Sequence, residues 1–571
     1  MYIESVPNRN SRPAILLREG RRVGKRVIKK TLLNITHWDP KHIEGLRRVL
    51  KGDTLVSPDD LFTIESSMPH GHVEAVVGTI KRLGLPKLIS SRPCPQRDLI
   101  VAMIAQRILA PGSKLAATRL WNATTLAQEL NVGDADVDEL YAALDWLLVR
   151  KTRIEKKLAR RHLDEGDSVF YDISSSYYEG STCPLATFGY SRDKKKGLPI
   201  IVYGLLTDGQ GCPVAIQVYP GNTSDSTTVP DQANKLQSQF GLSRVVLVGD
   251  RGMLTQTQIK ELEKYPGIGW VSALRNHEIK KLVHGGDLQM SLFDQKNLAE
   301  IHSDLFPNER LVVCYNPLNA QKRVHKRNAL LDATEAALAK VVNEVNRRTK
   351  TPLLKDEIGL KVGKILHRYK MGKHFKLTIN DNHLSWERNQ KAIDKEADLD
   401  GIYVIRTGES GAELSTEDTV RTYKRLTRVE RAFRLIKTTD LKVRPIYHRT
   451  PDHVRAHFFL CMLAYYVDWH MRRALSPLLF AEEDLEEAIK ERDPVARAKP
   501  TTKCQTKKSQ RKTKDGMPVH SFHTLMADLG TRCRVTCSIK MGSSKGTVHK
   551  YPTLTDFHKK CFELLEVFPV A

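Results

Sequence analysis

The 571-residue sequence lacks several features that mark familiar classes of protein. Its 9 cysteines include no Cys-x-x-Cys pair, which argues against a disulfide framework. The longest apolar run, FFLCMLAYYV at 458–467, is well short of the ~20 residues needed to span a membrane. The first residues lack the charged-then-apolar pattern of a secretory signal peptide. We therefore expect a cytoplasmic protein with reduced cysteines and no membrane partner.

Acidic side chains are also scarce relative to basic ones. The sequence has 66 Asp and Glu against 91 Lys and Arg, which gives a net charge of +25 and a pI near 9.6. Such an excess favours a polyanionic partner, because neutralising phosphates releases counterions and drives binding. Nucleic acid is the expected partner, although a basic protein kept soluble by its charge would have the same composition.

The length and the changing character of the sequence predict several domains. Residues 18–30 hold seven Lys or Arg in thirteen positions and fit a basic hairpin, either a solvated edge or a phosphate-contacting arm. The basic tract 499–514 fits a flexible linker, and it could also contact DNA without sequence preference. The predicted organisation is a basic hairpin and linker (1–70), a helical DNA-binding region (71–165), a core in two parts (166–275 and 397–475), an insertion domain (276–396) and a basic C-terminal region (476–571).

The first part of the core has an α/β pattern. Apolar runs VFYDI, LPIIVYGLL, PVAIQVY, RVVLVGD and IGWVSAL alternate with helical stretches near 226–239 and 255–264. Continuous apolar strands of this kind are buried on both faces of a sheet. The first three follow one another through glycine-rich turns, which predicts an antiparallel meander. The fold class predicted is therefore a mixed sheet flanked by helices.

Two of these strands end in a carboxylate. Asp172 ends the run VFYD, and Asp250 ends the run RVVLVGD. If the strands are neighbours, the two carboxylates converge, and like charges placed together need a cation. Oxygen ligands favour Mg²⁺ or Mn²⁺ over zinc. Taken alone, each aspartate is better explained as a helix cap or a turn former.

The segment YKRLTRVERAFRLIK adds a third carboxylate, Glu430. Its apolar members should pack on the sheet, which would place Glu430 at the centre of a buried helix face. A divalent metal would remove the cost of burying that charge, and an ion pair with a nearby Arg or Lys is the alternative. Five residues share this face of one predicted helix, because seven positions return to the same side: Tyr423, Leu426, Glu430, Phe433 and Lys437.

These segments resemble the core of the DDE transposases, whose acidic triad would be Asp172, Asp250 and Glu430. Five blocks follow one another in the family's order over roughly residues 168–470: YDISSSYYEG, GYSRDKKKGLPIIVYGLL, YPGNTSDSTTV, VLVGDRGM and VERAFRLIK. The resemblance implies a ribonuclease-H-like fold with an insertion before the Glu helix. It also implies a metal-dependent enzyme in which the triad holds two Mg²⁺ or Mn²⁺ ions for phosphodiester hydrolysis and strand transfer.

The helix segment resembles one group of these enzymes more closely. Tyr423, Glu430 and Lys437 match the signature Y-x2-R-x3-E-x6-K of the IS-four-like superfamily of bacterial insertion-sequence transposases. The sequence departs from the signature at its arginine, where Leu426 stands. This departure affects one expected DNA contact and leaves the triad intact.

The resemblance also implies the partners. Tyr423, Lys437 and Arg434 would contact phosphates beside the cut in transposon-end DNA, which is then joined to target DNA. The helical region would recognise terminal inverted repeats by reading base edges. Synapsis of two ends implies a homodimer, and the expected location is the bacterial cytoplasm in association with the nucleoid.

Several alternatives remain open at this stage. Asp208 and Asp225 lie in turns and are expected to form them, and Asp193 lies among lysines and is expected at the surface. Trp386 would either stack on an extruded base or be an ordinary core or surface residue. The rival functions are a ribonuclease-H-like nuclease without strand transfer and an inactive DNA-binding descendant.

Overall fold

The structure is a computed structural model, and it describes residues 1–53, 62–193, 195–293, 296–541 and 544–570. The chain forms two compact units, Met1–Met68 with Cys533–Pro552, and Pro69–Arg532 with Thr553–Ala571. The N-terminal segment contains β1 (Tyr2–Val6), β2 (Ala14–Val23), β3 (Arg26–Asn34), α1 (Pro40–Leu50) and β4 (Phe62–Pro69).

The basic segment at 18–30 forms an antiparallel hairpin of β2 and β3, and β1 pairs with the other edge of β2. Gly24 lies in the turn between them with a φ of 61°, which is the left-handed conformation that a two-residue hairpin turn requires. The residues of β3 are exposed, so its Lys and Arg side chains face solvent. A role for this hairpin in contacting phosphates stays a prediction.

The region 71–165 is helical, as its apolar spacing predicts. The helix at 137–149 begins with a capping box, in which Asp136 and Glu139 each accept a hydrogen bond from the other's backbone N–H. The helices are α2 (Gly71–Arg82), α3 (Leu85–Ile89), α4 (Pro95–Leu109), α5 (Lys114–Leu120), α6 (Leu126–Leu130), α7 (Val137–Val149) and α8 (Lys151–His162).

Among the described residues, no single helix is long and apolar enough to cross a membrane. The segments Pro95–Leu109 and Lys114–Ala123 pass that test of length and composition only together, as a pair bent by 86°.

The core sheet begins with β5, directly after α8. The strands β5, β6 and β7 form the predicted antiparallel meander, while β8 pairs in parallel with β5, and β9 in parallel with β8. The elements are β5 (Ser168–Tyr177), β6 (Ile200–Thr207), β7 (Pro213–Pro220), α9 (Val229–Asn234), β8 (Val245–Val248), α10 (Gln256–Leu262) and β9 (Ile268–Ala273).

The segment predicted as an insertion both extends this sheet and builds a core of its own. Its first two strands join the sheet, and its later helices and hairpin enclose a separate apolar cluster that includes Leu338 and Ile358. The elements are α11 (Asn276–Gly285), β10 (Leu298–Ile301), β11 (Arg310–Tyr315), α12 (Pro317–Arg347), α13 (Lys355–Tyr369), β12 (Phe375–Asn380), β13 (His383–Arg388) and α14 (Gln390–Ala397). The next strand, β14 (Ile402–Thr407), belongs to the second part of the predicted core.

The complete sheet has the strand order β10-β11-β14-β9-β8-β5-β6-β7. Every residue of β6 and β8 is buried, which explains why these strands read as unbroken apolar runs. The predicted fold class, a ribonuclease-H-like mixed sheet flanked by helices, is confirmed. The boundaries of the predicted domains stay predictions.

The C-terminal third is mainly helical. Two strands in it form a three-stranded sheet with β4, in the order β16-β15-β4. The elements are α15 (Thr416–Lys424), α16 (Leu426–Arg434), α17 (Pro451–Ala474), α18 (Leu485–Glu491), α19 (Thr502–Gln510), α20 (Phe522–Gly530), β15 (Cys533–Met541), β16 (Ser544–Lys550) and α21 (Asp556–Leu565).

The basic tract at 499–514 is not a flexible linker, because α19 lies within it. The side chain of Lys507 is 6% exposed and its Nζ lies 2.8 Å from Glu483 Oε1. Lys507 also donates to the Ser476 carbonyl oxygen at 3.0 Å. The acidic residue that orders this tract lies earlier in the chain, so the local composition did not reveal it.

A buried ion cluster joins the helical region to the core. The Glu155 side chain on α8 is 1% exposed and lies 2.9 Å from Lys151 Nζ and 3.1 Å from Lys235 Nζ. Its Oε1 also accepts a hydrogen bond of 3.1 Å from the backbone N–H of Ile216 on β7. Removing one partner from such a cluster leaves buried charge uncompensated.

We expect Glu155→Gln to lower the free energy of unfolding by about 3–5 kcal/mol, because two buried ammonium groups lose their counter-charge. Urea denaturation followed by tryptophan fluorescence measures the loss. The control is Glu261→Gln, whose partly exposed carboxylate pairs with Lys264 at 2.7 Å and should contribute less than about 1 kcal/mol. Equal losses in the two variants would contradict the structural importance of the cluster.

Candidate active site

The register of β5 and β8 brings two carboxylates to one edge of the sheet. Phe170 pairs with Val248 at the last paired position of these parallel strands. Asp172 and Asp250 each lie two residues further along the chain. The prediction that Asp172 ends its strand was wrong, because β5 continues to Tyr177 through its pairing with β6. The two aspartates come close because each follows the last pair of the parallel β5–β8 ladder by two residues.

Backbone amides hold one oxygen of each carboxylate. Asp172 Oδ1 accepts a hydrogen bond of 2.7 Å from Ile173 N–H. Asp250 Oδ1 accepts bonds of 2.9 Å from the N–H groups of both Gly252 and Met253, in the turn that follows β8. Asp250 therefore does act as a turn former, and its carboxylate is fixed by that turn at the end of the strand.

Glu430 comes from a helix that packs on the same strand. α16 packs against β5 and β6, with Leu426 and Phe433 buried. Glu430 itself is exposed, so the prediction that it lies at the centre of a buried helix face was wrong. The apolar residues pack on the sheet while the carboxylate lies at the margin of that packing, which removes most of the cost of its charge.

The predicted continuous helix from Tyr423 to Lys437 is interrupted twice. α15 ends at Lys424 and α16 begins at Leu426, so Tyr423 and Glu430 belong to different helices. A π-helical turn follows at Leu435–Thr439 and contains Lys437. Local irregularities of this kind change which side chains share a face, and π turns are frequent at functional sites.

The charges of Asp250 and Glu430 both act on Asp172. Burial raises the pKa of Asp172 to about 7, and the charges of Asp250 and Glu430 act in the same direction. Burial also raises the pKa of Tyr423 to about 12, with further contributions from Asp250, Glu430 and Asp172. The structure therefore brings the three acids and Tyr423 into one cluster.

The donor set of this cluster fits a divalent metal site. All three acids offer carboxylate oxygens, which are the preferred ligands of Mg²⁺ and Mn²⁺. The three carboxylates do not all approach within 4.8 Å of one another. A single Mg²⁺ with bonds of about 2.1 Å holds its ligand oxygens within about 4.2 Å, so these acids would need movement or more than one ion.

Comparison with known proteins identifies the family. The family model described as "Transposase DDE domain" matches residues 180–467, half of the chain. The chain belongs to the DDE transposase family. The match includes Asp250 and Glu430 and begins eight residues after Asp172. Transposases of this family generally use divalent metal ions, and the oxygen donors of the acidic cluster are suited to them.

Two further comparisons complete this finding. No curated protein matches the sequence. Among solved structures, the chain is similar to a piggyBac transposase in a synaptic complex with hairpin DNA, with a TM-score of 0.32 and 10% sequence identity. The alignment covers 81% of this chain and 76% of that chain.

The residues predicted to contact DNA differ in their surroundings. Tyr423 is half-buried beside the acids, and Arg434 is exposed on α16. Lys437 is half-buried, and its Nζ lies 3.1 Å from Asp193 Oδ1. Burial lowers the pKa of Lys437, which Asp193 partly offsets.

The expectation that Asp193 lies at the surface was wrong. Its side chain is 8% exposed and also pairs with Arg444 at 2.5 Å. Neighbouring lysines in the sequence suggested a solvated segment, whereas the partners that bury this carboxylate come from about 250 residues later in the chain. The sequence alone offered no signal for that pairing.

Arg192 is a second residue that sequence reasoning missed. Its backbone N–H donates to Ser175 Oγ at 3.1 Å, and its guanidinium lies 2.5 Å from Asp225. The positive charge of Arg192 lowers the pKa of Asp172, opposing the effect of burial. Arg192 belongs to the block GYSRDKKKG, one of the segments that carry the family resemblance.

We expect metal binding at the acidic cluster to depend on pH, because Asp172 carries a proton below about pH 7 that the metal must displace. The affinity for Mn²⁺ should rise about tenfold per pH unit up to that point and then level off. Calorimetric titration of the full chain across this range measures both the affinity and the protons released. Asp172→Asn should remove the pH dependence, and an affinity that is flat in wild type would contradict the expectation.

Proposed function

We propose that this chain is the transposase of an insertion sequence. It binds the terminal inverted repeats, cuts the DNA at the element ends by metal-dependent hydrolysis, and joins the freed 3′-OH to target DNA. The observation that carries the proposal is the convergence of Asp172, Asp250 and Glu430 in a chain of the DDE transposase family. The signature carried by Tyr423 and Lys437 supports the insertion-sequence assignment.

Asp172, Asp250 and Glu430 are the proposed catalytic residues and metal ligands. Bound Mg²⁺ or Mn²⁺, as two ions, would activate the attacking water and stabilise the leaving 3′ oxygen. Burial of Asp172 gives it the largest gain from a nearby cation, because its carboxylate is the least solvated.

Three residues are proposed to hold the DNA backbone beside the cut. Arg434 is exposed on the same helix as Glu430 and can reach a phosphate directly. Tyr423 faces the acids, and its hydroxyl would donate a hydrogen bond to a phosphate oxygen. Lys437 pairs with Asp193 in the DNA-free chain, so a phosphate would have to compete with that carboxylate.

Recognition of the ends is assigned to other parts of the chain. The helical region 71–165 is proposed to read the terminal inverted repeats, and the basic hairpin of β2 and β3 to contact phosphates. Two ends must meet before strand transfer, so the active form is proposed to be a homodimer. The proposed place of action is the bacterial cytoplasm, at the nucleoid.

We expect Glu430→Gln to abolish cutting while the protein still binds DNA, because the substitution removes a metal ligand and preserves the size of the side chain. The assay uses labelled DNA carrying both element ends, with Mg²⁺ or Mn²⁺, and detects released 3′-OH ends and joined products. Wild type should give both products. The matched control is Glu417→Gln on α15, an exposed acid that pairs with Arg421 at 2.9 Å and should leave both products unchanged.

The outcomes of this assay separate the rival functions. If wild type cuts the DNA but does not join it to a second duplex, the protein is a nuclease without strand transfer. Binding without cutting by wild type, on verified ends, would make the chain an inactive DNA-binding descendant. Short inverted repeats flanking the coding DNA identify which ends to use.

We expect Arg434→Ala to weaken binding to end DNA through the loss of one phosphate contact. The slope of log affinity against log salt concentration should fall by about 0.9 in magnitude, the value for one phosphate on duplex DNA. Fluorescence anisotropy at several salt concentrations measures it. Arg455→Ala on α17 is the control, since that partly exposed arginine pairs with Asp452 at 2.8 Å. An unchanged slope in Arg434→Ala would remove this residue from the proposed interface.

A further inference from the structure

A second cluster of ligand-bearing side chains lies outside the acidic triad. Within the described ranges, the ligand atoms of His162, Cys212 and His470 all lie within 4.8 Å of one another. His162 ends α8, Cys212 lies in the turn between β6 and β7, and His470 lies on α17. Three elements distant in the sequence therefore meet at this cluster.

His162 has one ring nitrogen fixed and the other turned towards an acid. Its Nε2 forms a hydrogen bond of 3.0 Å with the Tyr466 hydroxyl. Its Nδ1 lies 4.0 Å from Asp208 Oδ2. A hydrogen bond to one nitrogen is what orients a histidine whose other nitrogen binds a metal.

His470 has a ring nitrogen that needs a partner. In the part of the chain that the structure describes, the buried Nε2 of His470 has no hydrogen-bond partner. A polar atom buried in this way costs stability unless something satisfies it. Its ring also packs edge-on against Tyr466, with centroids 4.6 Å apart, so the imidazole is held in place from one side.

The carboxylate of Asp208 is the fourth candidate ligand. Its Oδ1 accepts hydrogen bonds of 2.8 Å from the backbone N–H groups of Gln210 and Cys212, which ties the acid and the thiol into one turn. These bonds leave Oδ2 on the side of His162. The Asp208 side chain is 13% exposed, so its charge is poorly compensated by solvent.

We propose that His162, Cys212, His470 and Asp208 bind one zinc ion. Two imidazoles, a thiolate and a carboxylate are ligands that zinc takes in tetrahedral sites. Bonds of about 2.0–2.3 Å place tetrahedral ligand atoms about 3.3–3.7 Å apart, so small side-chain rotations close the present spacing of His162, Cys212 and His470. Asp208 has to rotate further, because its Oδ2 lies 4.0 Å from His162 Nδ1 but its carboxylate is not within 4.8 Å of all three other ligand atoms. Four protein ligands leave no open position, and the site is therefore structural and distinct from the catalytic metals.

The charges at the cluster suit this ion. A thiolate and a carboxylate together neutralise Zn²⁺, and Cys212 releases its thiol proton to solvent as the zinc–sulfur bond forms. Burial and the negative charge of Asp208 raise the pKa of the Cys212 thiol, which Arg473 and Arg161 partly offset, so the ion itself must displace the thiol proton.

The zinc ion would stabilise the position of β5, the strand that carries Asp172. α8 leads directly into β5, and Asp172 on β5 pairs with Leu205 on β6. The turn holding Asp208 and Cys212 follows β6, and α17 packs against β7. Zinc would therefore fasten α8, which precedes β5, to the β6–β7 turn and to α17 without contacting the triad.

The first test is the metal content of the full chain, purified without chelators and measured by plasma mass spectrometry. About one zinc per chain is expected in wild type, and background zinc in Cys212→Ser and His470→Gln. Cys314→Ser is the matched control, a buried cysteine on β11 outside the cluster, and should keep its zinc. Asp172→Asn should keep its zinc as well, which separates this site from the triad.

Two measurements on the wild-type protein test the proposal even if the variants fold poorly. Replacement of zinc by Co²⁺ should produce a thiolate-to-cobalt charge-transfer band in the near ultraviolet, which a carboxylate site cannot produce. Removal of metal with a chelator should lower Tm, and Zn²⁺ should restore it where Mg²⁺ does not. Background zinc with no cobalt band in wild type, or zinc lost in Asp172→Asn and kept in Cys212→Ser, would overturn the proposal.

Discussion

The parallel pairing of β5 with β8 is the constraint from which the active site follows. A shift of one residue in that register would turn Asp172 to the other face of the sheet while Asp250 stayed in place. The register is secured because both strands are apolar and lie between other strands, so slippage would misplace several buried side chains at once. The core of the sheet thus determines the distance between two carboxylates that repel each other.

That repulsion has a second consequence, because a site rich in carboxylates also repels the phosphates of its substrate. Cations near the site offset this repulsion. The positive charge of Arg192 lowers the pKa of Asp172, and the next residue, Asp193, pairs with Lys437 and Arg444. Asp193 stabilises two half-buried cations in the DNA-free chain. Phosphate can replace a carboxylate as their partner, so DNA would meet cations that are already positioned rather than dispersed in solvent.

The sequence was sufficient for the strands, because continuous apolar runs depend on local composition alone. It was insufficient for the end of β5, which continues five residues past Asp172 because it pairs with β6 there. It was also insufficient for the Glu430 segment. A regular helix predicts that Tyr423 and Glu430 share one face, whereas the break at Arg425 and the π turn at Leu435–Thr439 depend on packing against the sheet. The burial of Asp193 and Lys507 likewise depends on partners that no local pattern reveals.

The separation of 180 residues between Asp250 and Glu430 is not an obstacle to the site, and the sheet shows why. The chain leaves β9 at Ala273 and returns in β14 at Ile402, which pairs antiparallel with that same strand. α15 then packs back across β9, and α16 reaches β5. The cost of closing a long excursion grows only with the logarithm of its length, so pairing of β14 can hold a large inserted segment. The position of the Glu430 helix therefore depends on the pairing of β14 and not on the number of residues between β9 and β14.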